Sequence, residues 1–417
     1  MPLFLKLCLF DFKSASRNYR ELSAAVEAGY DVKVLAGVIS SPFESGTIDE
    51  EHGFVVHRFS PYPILKLPFE SRPRRQRSIF EKGIRFALRL PYFIHYFKCV
   101  RSFKWVKAVR TFNADVISCH DLPALVIGYV STWFMKKNKK PKLIYDSHEF
   151  ELGRNTTRSR FKAWGIKFLE RFMIKRSALS VMVNDSIADE VQRVHNLKTR
   201  PLVVRSTPPN WAIDTSVCER RRAKFVKLLD VDFDPFFVMY HGGFLKNRGI
   251  EMLIKTVAKN PYIVGIILGY ALDEDYLISL KNLAKEQDVE KRILFLPAVP
   301  IENLWEYVGA ADVGTSFIQN TCINHLFSLP NKFFENIQSL TPIITSDFPE
   351  MRRLIHHYDI GLTCDTTSIE DINSCIEKLR TDKQFYIQLK ENLKVAKEDL
   401  CWENEKVKLI EYLIRLA

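Results

Sequence analysis

The sequence predicts an α/β protein with two domains, each built on a doubly wound parallel sheet. The chain has 417 residues, more than one hydrophobic core ordinarily serves. Short apolar runs alternate with amphipathic stretches of helical spacing, which is the pattern of parallel strands joined by crossover helices. A proline-rich break at 206–211 divides this alternation into two series and is suited to a linker between domains.

The individual elements follow from the apolar runs. In the first series we expect strands at 3–10, 32–36, 55–59, 116–119, 143–146, 179–183 and 202–204. Residues 19–28 carry apolar side chains at helical spacing and end at Gly29, which predicts a helix with a glycine after its last turn. In the second series we expect strands at 236–240, 264–268, 293–296, 313–316 and 343–345, with helices at 250–259, 275–287, 301–310 and 331–339.

These elements predict three parts of the chain. Residues 1–205 form an N-terminal domain, which includes a basic insert at 66–107, and residues 206–397 form a C-terminal domain. A last helix within 398–417 is expected to pack back on the N-terminal domain. Two such sheets in tandem leave a cleft between the carboxyl ends of their strands, where doubly wound sheets usually bind ligands.

The composition excludes several classes of protein. A hydrophobic share of 47% is globular, and the eight scattered cysteines form no Cys-x-x-Cys pair, which argues against a zinc site or a disulfide framework. The N-terminal stretch lacks the basic leader and cleavage site of a signal peptide. The apolar run at 122–135 is shorter than the roughly 20 residues of a spanning helix. We therefore expect a cytoplasmic protein that does not cross a membrane.

The positive charge is concentrated in the first half of the chain. The formal net charge is +12, and residues 66–107 hold twelve basic and two acidic side chains, interleaved with aromatic ones. A second patch, 154–176, has eight basic residues and one acid. Such segments suit the anionic inner face of a membrane, where each cation contributes about 1 kcal/mol. The alternatives are a solvated surface over core aromatics or a nucleic-acid groove, although no nucleic-acid motif accompanies them.

A glycine-containing loop follows the first predicted strand of the second series. Gly242 and Gly243 end that strand, and Arg248 stands at the start of the next helix. Glycines let a diphosphate approach the backbone, and the free amides and dipole of a helix start attract its charge. A guanidinium adds forked donors. The loop therefore predicts a diphosphate site; the alternative is a plain turn with a solvated Arg248.

The segment 326–335 predicts the other half of the same site. Ser328 or Asn331 is expected to cap a helix that leaves backbone donors facing the cleft. A cation such as Lys332 is unfavourable in a first turn unless an anion binds there. Glu335, one turn further, can hold two vicinal hydroxyls, as on a ribose. The alternative is an ordinary capped helix with a surface lysine and glutamate.

Polar side chains also follow two strands of the first series. His120 and Asp121 end one strand, and His148 and Glu149 follow the next. Because carboxyl ends of parallel strands meet at one edge, we expect His120 in the cleft and the other three on its acceptor side. A buried structural histidine is the alternative for His120.

No metal is predicted. Three aspartates come together at 230–234, which resembles an acidic cation site. They precede a strand and should lie at the opposite end of the sheet from the cleft.

The order and spacing of these motifs resemble the family 4 retaining glycosyltransferases, which share the two-domain GT-B fold. The resemblance covers most of the chain. It rests on the Gly242–Arg248 loop, the strand ending at Gly269, and the segments 114–121, 145–149, 293–299, 310–312, 328–335 and 342–346.

The resemblance implies roles for individual residues. Glu335 corresponds to the second glutamate of the family's Glu-x7-Glu motif and would hold the donor ribose. Arg248 stands where the family has a diphosphate-binding lysine, and His120 matches a histidine beside the donor sugar and acceptor. With Lys332 these two form the expected catalytic set. The nucleotide-sugar site would comprise Gly242, Gly243, Arg248, Gly269, Val299 near the base, Ser328, Asn331, Lys332 and Glu335.

The sequence departs from the family at two positions. Phe327 replaces the first glutamate of the motif, and Gly243 stands where the family has a phosphate-binding arginine. Arg248, Lys332 and helix amides remain to offset the diphosphate charge.

The resemblance implies a metal-independent, retaining transfer of a hexose-type sugar. The sugar would pass from a nucleotide-diphosphate sugar to a lipid-linked or surface-polysaccharide glycan, without a cofactor. Two alternatives stay open: a GT-B nucleotide-sugar epimerase, or a catalytically weak, membrane-docked partner of another transferase, which would account for Phe327.

Overall fold

The structure is a computed structural model that describes residues 1–10, 12, 16–38, 46–59, 102–133, 135–154, 159–229 and 231–416. Of the predicted basic insert, only residues 102–107 lie within these ranges, in a helical stretch at 102–110. Most of that prediction, and residues 155–158 of the second basic patch, fall outside the described residues. None of the described helices is long and apolar enough to span a membrane.

Fourteen strands are described. They are β1 (Leu3–Cys8), β2 (Asp31–Gly37), β3 (Ile48–Glu51), β4 (Phe54–Phe59), β5 (Val116–His120), β6 (Lys142–Ser147), β7 (Leu179–Met182), β8 (Leu202–Val203), β9 (Phe236–Phe244), β10 (Ile263–Ala271), β11 (Ile293–Pro297), β12 (Val313–Ser316), β13 (Ile343–Ser346) and β14 (Gly361–Cys364).

The α-helices surround these strands. They are Ser16–Glu27, Asp121–Ser131, Arg160–Ile174, Asp185–His195, Thr215–Lys227, Ile250–Lys259, Glu274–Glu286, Leu304–Val308, Ile323–Leu326, Asn331–Gln338, Pro349–Tyr358, Ile369–Thr381, Lys383–Asp399 and Trp402–Leu416. Short 3-10 turns lie at Lys137–Lys139, Glu151–Gly153, Glu290–Arg292 and Ile301–Asn303.

The strands form two sheets, one for each predicted series. The first has the order β3-β4-β2-β1-β5-β6-β7-β8 and the second β11-β10-β9-β12-β13-β14. Every pairing is parallel except that of β3 with β4. The predicted fold class, with two doubly wound sheets, is confirmed. The strand order reverses between β1 and β5 in the first sheet and between β9 and β12 in the second.

The predicted elements differ from the structure in a few places. β3 was not predicted because its sequence, Ile-Asp-Glu-Glu, does not alternate apolar and polar residues. β14, four residues long, was also missed. The predicted helix at 301–310 is instead a 3-10 turn followed by the short helix Leu304–Val308.

A buried ion cluster joins the first helix to the centre of the first sheet. Lys6 on β1 is fully buried, forms an ion pair with Glu21, and places its ammonium 3.0 Å from Asp146 Oδ2. Arg17 lies 3.0 Å from the other oxygen of Asp146 and donates to the Val204 carbonyl oxygen at 2.6 Å. We call these four charged residues the Asp146 cluster. Burial opposes ionisation, but Arg17 and Lys6 hold the pKa of Asp146 well below its usual value.

The last helix, Trp402–Leu416, packs on the N-terminal domain. Trp402, Leu409 and Leu413 belong to the same hydrophobic cluster as Phe4 of β1. Tyr30 donates to the Leu413 carbonyl oxygen at 2.9 Å. The chain therefore crosses between the two domains twice.

Contacts near the carboxyl ends of the strands also join the domains. The Phe150 amide donates to Asn324 Oδ1 at 3.0 Å, and Asn184 Nδ2 donates to the Phe327 carbonyl oxygen at 2.7 Å. The Ser186 amide donates to Glu350 at 2.7 Å. The first two of these bonds fix the segment 324–327 of the C-terminal domain against the N-terminal domain, and the third fixes Glu350.

We predict that Asp146→Asn destabilises the protein by about 3–5 kcal/mol, because it leaves two buried cations without their shared anion. Denaturant unfolding measures the change in the free energy of unfolding. Glu27→Gln is the control, since the ion pair of Glu27 with Lys406 is partly exposed and its loss should cost under about 1 kcal/mol. Equal effects of the two substitutions would contradict a structural role for the buried cluster.

Candidate active site

The carboxyl end of β9 carries the glycine loop. Gly242 has φ 116° and Gly269, its register partner on β10, has φ 153°. A Cβ on Gly269 would lie 1.9 Å from the Gly242 carbonyl oxygen, so no side chain fits there. Gly242 and Gly269 thus expose backbone without side chains, at the sheet edge where doubly wound folds bind ligands.

Lys332 lies beside this loop in a buried position. A Cβ built on Gly242 would stand 3.9 Å from its ammonium, which itself lies 3.5 Å from the centroid of the Tyr240 ring. The ring favours the charged form, but burial and the positive charge of Arg248 outweigh it and hold the pKa of Lys332 well below its usual value. The ammonium has no ion-pair partner within the described ranges.

Arg248 adds a second cation to the same region. It is half-buried, and among the residues that the structure describes its guanidinium has no hydrogen-bond or ion-pair partner. Its repulsion of Lys332 shows that the two charges act on each other. Two cations held near each other, neither with an ion-pair partner in the described chain, favour an anionic ligand such as a diphosphate.

Glu335 lies one turn after Lys332 and pairs with His241. The Glu335 Oε2 to His241 Nε2 distance is 2.9 Å, and His241 is only 2% exposed. Glu335 also attracts Arg20 of the first helix, although burial dominates and lowers the pKa of Arg20 to about 10. The Glu335 carboxylate is therefore held by the sheet and faces the N-terminal domain.

The predicted cap of the helix Asn331–Gln338 is wrong. Pro330 precedes this helix, and no side chain accepts a hydrogen bond from its first turn. The Ser328 hydroxyl instead donates to the His325 carbonyl oxygen at 2.7 Å, and Asn331 is exposed as the first helical residue. The first amides of the helix are therefore not occupied by a side-chain cap and stay available to a ligand.

His120 and His148 lie together at the carboxyl ends of β5 and β6. Their ring centroids are 3.7 Å apart, and Phe10 packs edge-on against His120 at 4.4 Å. His148 Nε2 lies 3.0 Å from Asp146 Oδ2, so the Asp146 cluster orients this imidazole. His120 Nδ1 lies 3.1 Å from Asn18 Oδ1.

His120 is neutral in this environment. Burial, His148 and Lys6 together lower its pKa far below the usual value. Its Nδ1 proton is assigned to the bond with Asn18 Oδ1, which leaves Nε2 as a hydrogen-bond acceptor. The residue is 6% exposed, so it suits contact with a hydroxyl more than proton transfer.

Asp121 and Glu149 share one arginine. Arg154 lies 2.7 Å from Asp121 Oδ2 and 3.3 Å from Glu149 Oε2. Asp121 has a positive φ of 64° and accepts the His148 amide at 3.2 Å. Both carboxylates are therefore paired.

The distances would also allow a metal ion at one place in the described chain. Donor atoms of His120, Asp146 and His148 all lie within 4.8 Å of one another. Asp146, however, already pairs with Lys6 and Arg17, and two adjacent fixed cations oppose a third. These residues do not suit a metal ion.

Phe327 is in contact with the N-terminal domain. Its side chain packs against the hydrophobic cluster of the N-terminal domain, which includes Phe150 and Met182. The residue that replaces the family's glutamate is thus an interdomain contact. Val299, expected near the base, is half-buried against the cluster containing Phe237 and Leu268.

His241, His325 and Arg20 also lie at this site and were not predicted from the sequence. His241 directly precedes the glycines at the end of a strand, which is a detectable signal. His325 and Arg20 carry no such signal, because their positions depend on how the two domains meet.

Residues 222–396 match the family model described as Glycosyl transferases group 1. An uncharacterized glycosyltransferase of Methanocaldococcus jannaschii is 22% identical over 297 residues, covering 70% of this chain and 72% of that relative. The family model covers most of the C-terminal domain, and together with this relative it identifies the chain as a glycosyltransferase.

One further protein is related in sequence to this glycosyltransferase, and two solved structures share its fold. The mannosylglucosylglycerate synthase of Petrotoga mobilis is 22% identical over 247 residues, 52% of this chain and 55% of that protein. A sucrose-phosphate synthase from Thermosynechococcus elongatus superimposes with a TM-score of 0.72 at 14% identity, covering 98% and 97% of the two chains. Anabaena HepE in complex with UDP-glucose gives 0.70 at 13% identity, with 99% of each chain covered.

We predict that Lys332→Met weakens the binding of a nucleoside diphosphate to the glycosyltransferase by about tenfold or more and removes most of its pH dependence. An anion stabilises the ammonium form, so binding raises the pKa of Lys332 and takes up a proton wherever the free side chain is neutral. Wild-type affinity should therefore fall as pH rises through the pKa of the free enzyme.

Titration calorimetry of UDP, GDP and ADP in buffers of different ionisation enthalpy measures both quantities. Lys259→Met, at the exposed far end of the helix Ile250–Lys259, is the matched control and should bind as wild type does. Wild-type affinity and pH dependence in Lys332→Met would contradict a phosphate contact.

Proposed function

We propose that this glycosyltransferase moves a hexose-type sugar from a nucleotide-diphosphate sugar to a hydroxyl of a lipid-linked or surface-polysaccharide glycan. The observation that carries the donor class is the pair of cations Arg248 and Lys332, which have no ion-pair partner among the described residues and lie beside the strand ends at Gly242 and Gly269. The crystal complexes of Anabaena HepE with UDP and with UDP-glucose support a donor of this class.

The donor is proposed to bind the C-terminal domain and the acceptor the N-terminal domain. Glu335, held by His241, would accept hydrogen bonds from the two ribose hydroxyls. Val299 would approach the base. The neutral Nε2 of His120 would contact a hydroxyl at the reacting centre, and Asp121, His148 and Glu149 would line the acceptor side.

Transfer is proposed to retain the anomeric configuration and to need no metal. The acceptor oxygen forms a bond to the anomeric carbon as the bond to the diphosphate oxygen breaks, and the acceptor proton passes to the departing diphosphate. Arg248, Lys332 and the uncapped helix amides offset the charge that develops there, which is the task a divalent cation performs elsewhere. Asp121 and Glu149 are ion-paired, which favours this front-face route over a covalent glycosyl-enzyme.

We further propose that the enzyme works at the cytoplasmic face of an anionic membrane, in polysaccharide biosynthesis. The support comes from the helix Arg160–Ile174, whose Phe161, Trp164 and Phe168 are 81%, 63% and 62% exposed and stack at 6.2 and 6.1 Å. The same helix and its end present Arg160, Lys162, Lys167, Arg171, Lys175 and Arg176.

The one acid of this helix does not oppose an anionic surface. Glu170 is fully buried, accepts a hydrogen bond from Tyr145 at 2.9 Å and lies 3.0 Å from His195. Exposed aromatic side chains accompanied by cations, with no exposed acid on the same helix, suit the interface of anionic lipids.

Incubation with a panel of nucleotide sugars tests the transferase proposal. Glu335→Ala should weaken nucleotide binding by about tenfold, because the ribose loses its acceptor, while His120→Ala should leave binding within about twofold and lower turnover. Calorimetry measures binding, and mass spectrometry follows the products. Glu302→Ala, an exposed glutamate of the same domain, is the control.

The outcomes separate the rival functions. No nucleotide-sugar binding by the wild-type enzyme would overturn the transferase proposal, and a rearranged sugar formed from the donor alone would favour an epimerase. Equal loss of binding in Glu335→Ala and His120→Ala would indicate misfolding of both variants.

The triple variant Phe161→Ser, Trp164→Ser, Phe168→Ser should lose at least about tenfold in association with vesicles of phosphatidylglycerol and phosphatidylcholine, because the aromatic contribution to interfacial binding disappears. Vesicle sedimentation measures it. Ile387→Ser with Val395→Ser is the control, since both side chains are 61% exposed on another helix. Unchanged sedimentation of the triple variant would exclude this helix as the docking element.

A further inference from the structure

The short helix Ile323–Leu326 bridges the two halves of the cleft. On one side, Asn324 Oδ1 accepts the Phe150 amide at 3.0 Å, next to Glu149 of the acceptor side. On the other, the Gln319 amide donates to the Asn247 carbonyl oxygen at 3.0 Å, next to Arg248. The segment 319–324 is therefore tied to the acceptor loop and to the diphosphate loop at once.

His325 lies within this bridge, and its ring orientation is fixed. Its Nδ1 lies 3.1 Å from the Gln319 carbonyl oxygen and 2.8 Å from Thr321 Oγ1. A carbonyl oxygen only accepts, so Nδ1 carries the proton and donates it. Nε2 is then a hydrogen-bond acceptor, and it has no partner among the residues that the structure describes.

The surroundings keep the imidazole of His325 neutral. Burial and the positive charge of Arg248 lower its pKa, while the Gln319 carbonyl and Glu149 oppose this shift. The ring therefore interacts electrostatically with Arg248 on the donor side and with Glu149 on the acceptor side. A half-buried neutral acceptor in this position can receive a hydrogen bond from a hydroxyl group.

Phe327, two residues later, cannot perform this function. Its side chain is apolar and packs on the N-terminal core. Its carbonyl oxygen already accepts from Asn184 Nδ2 at 2.7 Å. The bridge therefore offers the imidazole of His325 as its acceptor between the two loops.

We propose that His325 recognises the transferred sugar, its Nε2 accepting a hydrogen bond from one sugar hydroxyl, and that it thereby determines which donor sugar is used. This rests on the proposed transferase function. A neutral imidazole has one acceptor atom, so it accepts a hydrogen bond from a single sugar hydroxyl. The donor and its epimer at that carbon are then told apart.

The test compares His325→Ala and His325→Gln with wild type. For each we measure the affinity for the nucleoside diphosphate alone and kcat/KM for the preferred donor and its epimers. His325→Ala should bind the diphosphate within about twofold of wild type but lose about tenfold or more in kcat/KM for the preferred donor. The preference over one epimer should fall by a similar factor, and His325→Gln, which keeps an acceptor, should recover part of it.

His356→Ala is the matched control, because His356 is exposed on the helix Pro349–Tyr358. An unchanged epimer preference in His325→Ala would overturn the proposal. So would equal losses in diphosphate affinity and donor kcat/KM, which would place the ring on the phosphates. If the wild-type enzyme binds no nucleotide sugar, the transferase proposal fails and this one with it. Failure in the variants of an active enzyme overturns only the role of His325.

Discussion

One buried carboxylate organises the N-terminal half of the cleft. Asp146 holds Lys6 of the central strand and Arg17 of the first helix, and through Arg17 it reaches the backbone at Val204, where the chain leaves the domain. The same carboxylate orients His148, whose ring packs on His120. The stability of the domain and the geometry of its site therefore depend on the same charge. This explains why a costly group is kept fully buried.

The charged groups in the C-terminal half of the cleft are arranged differently. There the cations Arg248 and Lys332 form no ion pair within the described chain, and their mutual repulsion is left for a ligand to relieve. Glu335 is paired with a histidine rather than with a cation of fixed charge, so its carboxylate remains able to accept hydrogen bonds from hydroxyls. The buried charges of the N-terminal half are thus paired and support the structure, whereas the two cations of the C-terminal half are left to bind a ligand.

The sequence specified the sheets better than the contacts between them. Apolar runs predicted the buried strands because burial on both faces leaves a continuous signal, whereas acidic β3 had none. Gly242, Arg248, Lys332 and Glu335 were predictable because helix starts and strand ends have local signatures. The His241 partner of Glu335 lies 94 residues away, which no local pattern reveals. This contact, like the packing of Phe327 on the N-terminal domain, is decided by tertiary geometry.

The burial of Glu170 has a consequence for the aromatic helix that carries it. Tyr145, its hydrogen-bond donor, directly precedes Asp146 on β6, so the helix Arg160–Ile174 is pinned to the strand that supports His148. Tilting this helix would break a fully buried polar contact. From Arg160 to Leu169 it extends about 15 Å at the usual rise per residue. The helix is therefore held at a fixed angle to the sheet. A surface bound to its N-terminal end would lie at a fixed distance from the cleft.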